Sequence, residues 1–496
     1  MAVDSSEPDI PSESTSLLAD HYERPTCSKP TPRRAQQILL LACVVAITLD
    51  FGAYLSVAPQ LQLYESIICQ RLHPEFFAGT VDGRLPPAAN LSCKAADVQG
   101  ELAVLKGWMG TFDQLPGIVL ALPYGLMADR IGRKPVLVLG LVGFVMQEMA
   151  IRIICWYHTV IPPQAVWFTP LFQIIGGGIG ITNSVVWTII ADVYPIEKRA
   201  TAYFVLSAAI LVSEILAAPL SAWMMASSLW MPFMLGLAFE ILGMFTVFVI
   251  PETRPKSLEE PVTEPAAEDE TSGSSPCSST SLWSSAIRSA CSQISQLNGF
   301  ICEHPNAIII SFTFLLASFG LEALGFMVQY ASKRFSWSMA EASLLISVKG
   351  GFNITSYLVI LPLASKILAR YLSPVQKDLR ITKVSVFVMA VGFGFMSLAS
   401  HPAPFIIGVA LVALGWGFYA SLRSAGSALV GQAHVGILNT SVALSQGVGL
   451  MIAGPLMAGS LRLGMAWDGV WMGLPWMIGV VLFVAAGLAV GCLRVP

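Results

Sequence analysis

Apolar residues along this chain come in blocks and not in alternation. A bilayer core requires roughly 20 consecutive apolar residues in a helix. About twelve blocks of that length can be read: 36–58, 103–127, 135–156, 165–190, 200–224, 229–250, 305–329, 341–365, 382–400, 404–428, 436–460 and 471–492. Each predicts a membrane-spanning helix. Two longer polar stretches interrupt them, at 59–102 and 254–304. The expected organisation is a disordered cytosolic tail over 1–35, a six-helix bundle over 36–253, a cytosolic central loop over 254–304 and a second six-helix bundle over 305–496. In the central loop Trp283, Ile287, Ala290, Ile294, Leu297 and Ile301 recur at helical spacing. This fits either a helix lying on the membrane surface or a loose linker.

Composition agrees with the blocks. Of 496 residues, 55% are hydrophobic and 12% charged, with mean hydropathy +0.68. A soluble protein carries about twice that charge. The net charge of −3 points to no partner class. No basic patch interleaved with aromatics is present, which excludes nucleic acid. Nine cysteines lack C-x-x-C spacing, so neither a structural zinc site nor another metal site is expected. A nucleotide-binding G-x-x-x-x-G-K-[ST] loop is absent, which excludes an ATP-driven pump. No enzyme activity or cofactor is implied, and His434 reads as a solvated loop residue. Without a cleavable signal peptide, the first span serves as the insertion signal.

One stretch concentrates charge between two spans: Gly125-Leu126-Met127-Ala128-Asp129-Arg130-Ile131-Gly132-Arg133-Lys134. Gly125 allows close helix approach, Asp129 can complement a helix N-terminus, and Gly132 permits a tight turn. Arg130, Arg133 and Lys134 mark a cytoplasmic edge. A merely topogenic loop needs neither the acid nor the glycines, so a conformational latch is the favoured reading. The order G-x-x-x-D-R-x-G-R-K resembles the loop between helices 2 and 3 of the major facilitator superfamily. The stretch Asp192–Arg199 resembles that family's loop after helix 4, and Pro251-Glu252-Thr253 the exit from helix 6 in fungal members.

An internal repeat points the same way. Ala218-Pro219-Leu220-Ser221-Ala222 in span 5 matches Gly454-Pro455-Leu456-Met457-Ala458 in span 11. The resemblance implies an all-α integral membrane fold of twelve transmembrane helices in two six-helix parallel pseudo-repeats, with a substrate site between them near the midplane. Between spans 8 and 9 the loop keeps Lys366, Arg370, Lys377, Arg380 and Lys383 but lacks Gly-x-x-x-Asp.

Basic residues crowd the loops that hold Arg33, Arg130, Arg133, Lys134, Lys198 and Lys366, and are sparse on the other side, which expects both termini in the cytosol. The opposite loop at 59–102 holds Cys69, Cys93 and the sequon Asn90-Leu91-Ser92. Glycosylation of Asn90 and a Cys69–Cys93 disulfide suit an external loop; two free thiols are the other reading. A plasma-membrane location is expected. The vacuolar membrane is the alternative, because Glu13-Ser-Thr-Ser-Leu17-Leu18 has the form of an acidic dileucine signal.

Ionisable residues inside a bilayer cost several kcal/mol unless paired or hydrated. Asp50 and Asp113 both fall about 21 Å from the cytoplasmic edge and are the proton-coupling candidates; Asp113 could instead hydrogen-bond to backbone at the kink near Pro116. Glu322 and Lys349 sit at similar depth in spans 7 and 8 and are expected to pair, either as structure or as a gate. Glu148 and Arg152 form an i, i+4 structural pair, while Glu214 and Glu240 have no evident partner. Arg423, with Trp416 and Tyr419 as flat walls, is a candidate substrate contact or a snorkelling arginine.

The leading expectation is a proton-coupled exporter of a small organic compound, acting as a monomer in the lipid bilayer. Export follows from the likeness to fungal toxin and secondary-metabolite effluxers. The long cysteine-bearing loop also resembles the proton-coupled folate transporter family of animals, which keeps import as the alternative. A non-transporting nutrient sensor is a further alternative.

Overall fold

The computed structural model describes residues 32–77, 93–253, 305–430 and 435–493, apart from a few side chains within helices. Asn90, the tail with Leu17 and Leu18, the central loop with its 283–301 periodicity, and His434 lie outside the described residues.

Twelve long helical segments follow one another: α1 (Pro32–Leu72), α2 (Ala96–Arg130), α3 (Arg133–Trp156), α4 (Pro163–Val193), α5 (Ile196–Met225), α6 (Trp230–Val247), α7 (Pro305–Gly325), α8 (Met339–Leu368), α9 (Pro374–Leu398), α10 (Pro402–Val430), α11 (Val435–Trp467) and α12 (Leu474–Gly491). Among the described residues, eleven are long and apolar enough to cross a membrane. The other, α2, is 35 residues long, and Lys106, Asp113 and two internal prolines lower its hydropathy.

In lipid, backbone groups must be satisfied within the segment, so long apolar runs become helices. Interruptions have local causes. In α4, Gly177 and Gly178 adopt φ of 80° and 91°, and a 3-10 run, Pro163–Ile175, gives way there to an α-helix. A Cβ on Gly176 would lie 2.2 Å from the Gly140 backbone, so α3 and α4 touch at glycine. In α8, a π turn over Ser356–Ile360 precedes Pro362, which has no N–H to give.

Helix α1 runs to Leu72, well past the expected end of span 1. Leu61, Leu63, Tyr64, Ile67 and Ile68 are buried, and this amphipathic continuation packs into the core instead of forming a loop. Cys69 therefore sits on the last turns of α1, where a disulfide joins it to Cys93, just before α2.

The packing repeats with an offset of six helices. Contacts of α1 with α5 and α6, and of α3 with α4 and α6, recur as α7 with α11 and α12, and α9 with α10 and α12. Between the halves, α2 packs on α11 and α5 on α8. We call the end carrying Cys69–Cys93 the disulfide end, and the opposite end, where α1 begins, the terminal end.

Candidate functional site

Between the halves lies a cavity of about 440 Å³. Its wall is built from α1 (Tyr54, Gln60, Tyr64), α2 (Lys106, Met109), α7 (Leu321, Leu324), α8 (Ile346, Lys349) and α10 (Trp416). Lys106 stands ten residues after the start of α2 at Ala96, and Lys349 ten residues after the start of α8 at Met339. Lys106 belongs to the first half and Lys349 to the second, and each reaches across to the other half. Lys349 Nζ lies 2.7 Å from Glu214 Oε1 of α5 and 5.8 Å from the Trp416 ring. Lys106 donates to the Gly325 carbonyl at the end of α7, with Glu322 of the same helix as its electrostatic partner.

This corrects the expected Glu322–Lys349 pair. Helices α7 and α8 are successive in sequence, but a short helix, Met327–Arg334, intervenes, and α8 packs against α5. Glu214, without an evident partner in the sequence, is the acid that meets Lys349. Lys106, which the sequence did not single out, is a cavity residue.

A second buried network lies behind the cavity. Arg152 donates to Glu148 Oε2 at 2.5 Å, Ser56 Oγ at 3.0 Å and the Phe233 carbonyl at 3.0 Å. The guanidinium lies 3.8 Å from Glu240 Oε2, a fully buried carboxylate with no hydrogen bond among the described residues. One guanidinium therefore serves two acids from different helices, where sequence suggested one. Asp113 accepts from Gln147 Nε2 at 2.7 Å; Gln147 in turn accepts from Gln173, which receives the Ile179 N–H at the α4 break at 3.1 Å. Asp113 thus faces α3 and α4. Asp50 is half-buried on α1 and makes no ion pair or hydrogen bond among the described residues; Glu214 is its nearest electrostatic neighbour. Arg423 is exposed, 3.4 Å from Gln446 Oε1 and 5.7 Å from the Phe314 ring. Tyr419 donates to the Ala317 carbonyl and packs on Trp416.

The halves are joined toward the disulfide end. Lys94 donates to the carbonyls of Ser332 and Trp337, and Lys333 donates back to the Lys94 carbonyl. Gln329 donates to the Gln99 carbonyl at 2.7 Å, and Gln99 donates to the buried Glu65 at 2.5 Å. Arg462 and Glu101 pair at 3.2 Å. On α2 and α11, Gly107 and Gly454 bring the backbones together: a Cβ on Gly454 would lie 2.3 Å from the Gly107 carbonyl oxygen.

At the terminal end the charged knot gathers around the start of α3. Glu252 caps α3, accepting the Arg133 and Lys134 N–H groups at 2.9 and 3.0 Å. Arg133 Nε lies 3.3 Å from Asp192 Oδ2, and Lys134 Nζ donates to the Phe248 carbonyl. Gly132 has φ of 126°, and a Cβ there would lie 2.5 Å from Glu252 Oε2. The partners described for Arg133 and Lys134 belong to the first half. Gly125 meets open space, so the close helix approach expected there is not made. Arg130 is exposed, and the side chain of Asp129 lies outside the described residues.

The family model described as Major Facilitator Superfamily matches residues 40–454. The chain is 32% identical over 473 residues to the MFS efflux pump atnC of Emericella nidulans, covering 92% of this chain and 86% of that one. It is 31% identical over 501 residues to the efflux pump ustT of Aspergillus flavus, covering 97% and 95%. Among solved structures, the xylose transporter XylE from E. coli, in a partially occluded inward open conformation, aligns with TM-score 0.56 at 14% identity, over 92% of this chain and 98% of that one.

Proposed function

Because the chain belongs to the major facilitator superfamily, we propose that this multi-pass membrane transporter is a proton-coupled exporter of a small organic compound. The observation that carries the reading is the cavity between the halves, walled by Lys106, Lys349, Tyr54 and Trp416, with a cluster of cross-half hydrogen bonds described toward the disulfide end. Such a cavity is reached from the terminal end. With the basic loops at that end assigned to the cytosol, the cavity opens inward, ready to load a compound for export. The relatives named as efflux pumps support the direction.

Asp50, acidic and unpaired beside a cross-half ion pair, is the leading proton-coupling residue, with Asp113 second. The protein works as a monomer in the plasma membrane, with both termini in the cytosol and Asn90 glycosylated outside; the vacuolar membrane is the second location. Rocking the halves breaks the contacts at the disulfide end and presents the cavity to the other side.

Import of a nutrient is the competing reading, since the same cavity serves both directions. Metabolite profiles of cells and medium from expressing and deletion strains decide between them. Export predicts a compound depleted in cells and enriched in medium on expression; enrichment in cells overturns it. No change in either compartment favours the sensor.

A further inference from the structure

Among the described residues that line the cavity, the charged side chains are Lys106 and Lys349. No acid is among the described residues that line it. Glu214 is buried beneath Lys349, and Glu322 lies against α2, where a Cβ on Gly110 would come within 3.2 Å of its Oε1. The other polar groups of the wall, Tyr54, Gln60, Tyr64 and Trp416, all carry a hydrogen-bond donor. Two cations, donors and aromatic faces make a site for an acceptor-rich ligand.

We propose that the cavity binds an organic anion, an acidic group on an aromatic body, with the acid held between Lys106 and Lys349 and the rings against Trp416 and Tyr54. The proposal rests on the transporter reading above and narrows it to a substrate class. An ammonium has three donors. Lys349 spends one on Glu214 and Lys106 one on the Gly325 carbonyl, so each keeps donors for a ligand without abandoning its protein acceptor. The site sits on the boundary of the halves, one lysine from each. A ligand that engages both ties the halves together through itself, so its arrival and departure are felt by both halves. The aromatic wall is suited to a flat apolar body, because aromatic rings stack favourably beyond the area they bury.

The test is equilibrium binding to the purified full-length protein in lipid nanodiscs, read by tryptophan fluorescence. Three matched probes are used: 2-naphthaleneacetate, its amide, and 2-naphthylethylammonium. The proposal expects the carboxylate to bind at least tenfold more tightly than the amide, with the ammonium weakest. Lys106→Met and Lys349→Met should each bring the carboxylate to the level of the amide, and Lys106→Arg and Lys349→Arg should keep most of the preference. If Lys349→Met does not fold, Lys349→Met with Glu214→Gln removes the charge without leaving the acid unpaired, and should lose the preference too. Equal binding of acid and amide, tighter binding of the ammonium, binding of none of the three, or a preference that survives removal of either lysine overturns the assignment. No gradient is applied, so such a failure removes the substrate class and leaves export and proton coupling to be judged by flux.

Discussion

The Ser347 hydroxyl of α8 donates to the Ile215 carbonyl of α5 at 2.8 Å, across the boundary between the halves. Its counterpart is Thr111 of α2, which donates to the Met451 carbonyl of α11 at 2.9 Å. Ile215 stands four residues before Pro219, and Met451 four before Pro455. Proline has no N–H, so the carbonyl four residues earlier loses its helical donor. A buried carbonyl left that way is costly. In both places the opposite half supplies the missing donor. The prolines of the repeated Ala-Pro-Leu and Gly-Pro-Leu segments thus each free a carbonyl one turn earlier, Ile215 and Met451, for a matched pair of cross-half hydrogen bonds.

Ser347→Ala should weaken that closure by about 0.5–1.5 kcal/mol, shifting the balance between facing states by roughly 2- to 10-fold toward opening at the disulfide end. Pulsed EPR distances between labels on the two halves at that end read the shift. The same change in a Pro219→Ala background, where the backbone donor is restored, should have little effect. An equal effect in both backgrounds removes the explanation.

Glu214→Gln or Lys349→Met alone leaves a charge without its partner, Glu214 being buried and Lys349 on the cavity wall, at a cost below the about 3–5 kcal/mol of a fully buried pair. The double change strands neither. We expect each single variant to lower the thermal midpoint in detergent well below that of the double variant. A double variant as unstable as the sum of the singles contradicts the pairing.

Asp50→Asn should abolish transport driven by a pH gradient while leaving exchange across a symmetric pH intact. The measurement is solute flux in vesicles with and without an imposed gradient. Gradient-driven flux at the normal level in the variant removes Asp50 from the coupling role, and the same experiment on Asp113→Asn judges the second candidate.

At the disulfide end, exposed His73 bridges Asp97 at 2.8 Å and Glu75 at 3.2 Å. The hydrogen bond to Asp97, joined by that to Glu75, raises its pKa above the ordinary 6.5. A raised histidine contributes stability fully below its unfolded pKa and loses it as pH rises through the folded value. The bridge should therefore hold below about pH 6.5 and loosen on going mildly alkaline. Protease access to the adjoining loop should rise with pH over that window, and His73→Gln should flatten the dependence.

Glu252→Ala uncaps α3. Loss of two N-terminal acceptor contacts should cost about 0.5–2 kcal/mol, seen as faster hydrogen exchange at Arg133 and Lys134. Glu252→Gln should retain part of the protection. Unchanged exchange in the alanine variant contradicts the cap.

Much of the fold was legible because its causes are local. The apolar blocks, the low charge and the 218–222 and 454–458 repeat lie in the sequence itself. The candidate site was legible in parts. Trp416 and Lys349 do line the cavity, but Lys106 was not singled out, Glu214 and Glu240 looked partnerless, and Gly125 looked like a packing glycine. Pro251-Glu252-Thr253 could be read as a helix exit; that its acid caps a different helix could not.

By itself the sequence determined that the chain crosses a bilayer about twelve times in two related sets of six, because a helix in lipid must satisfy its own backbone. Only the tertiary structure decided which lysine meets which acid and at which end the halves are joined. Those pairings depend on which helices become neighbours. Here α8 lies beside α5 and α2 beside α11, an adjacency that chain order does not contain.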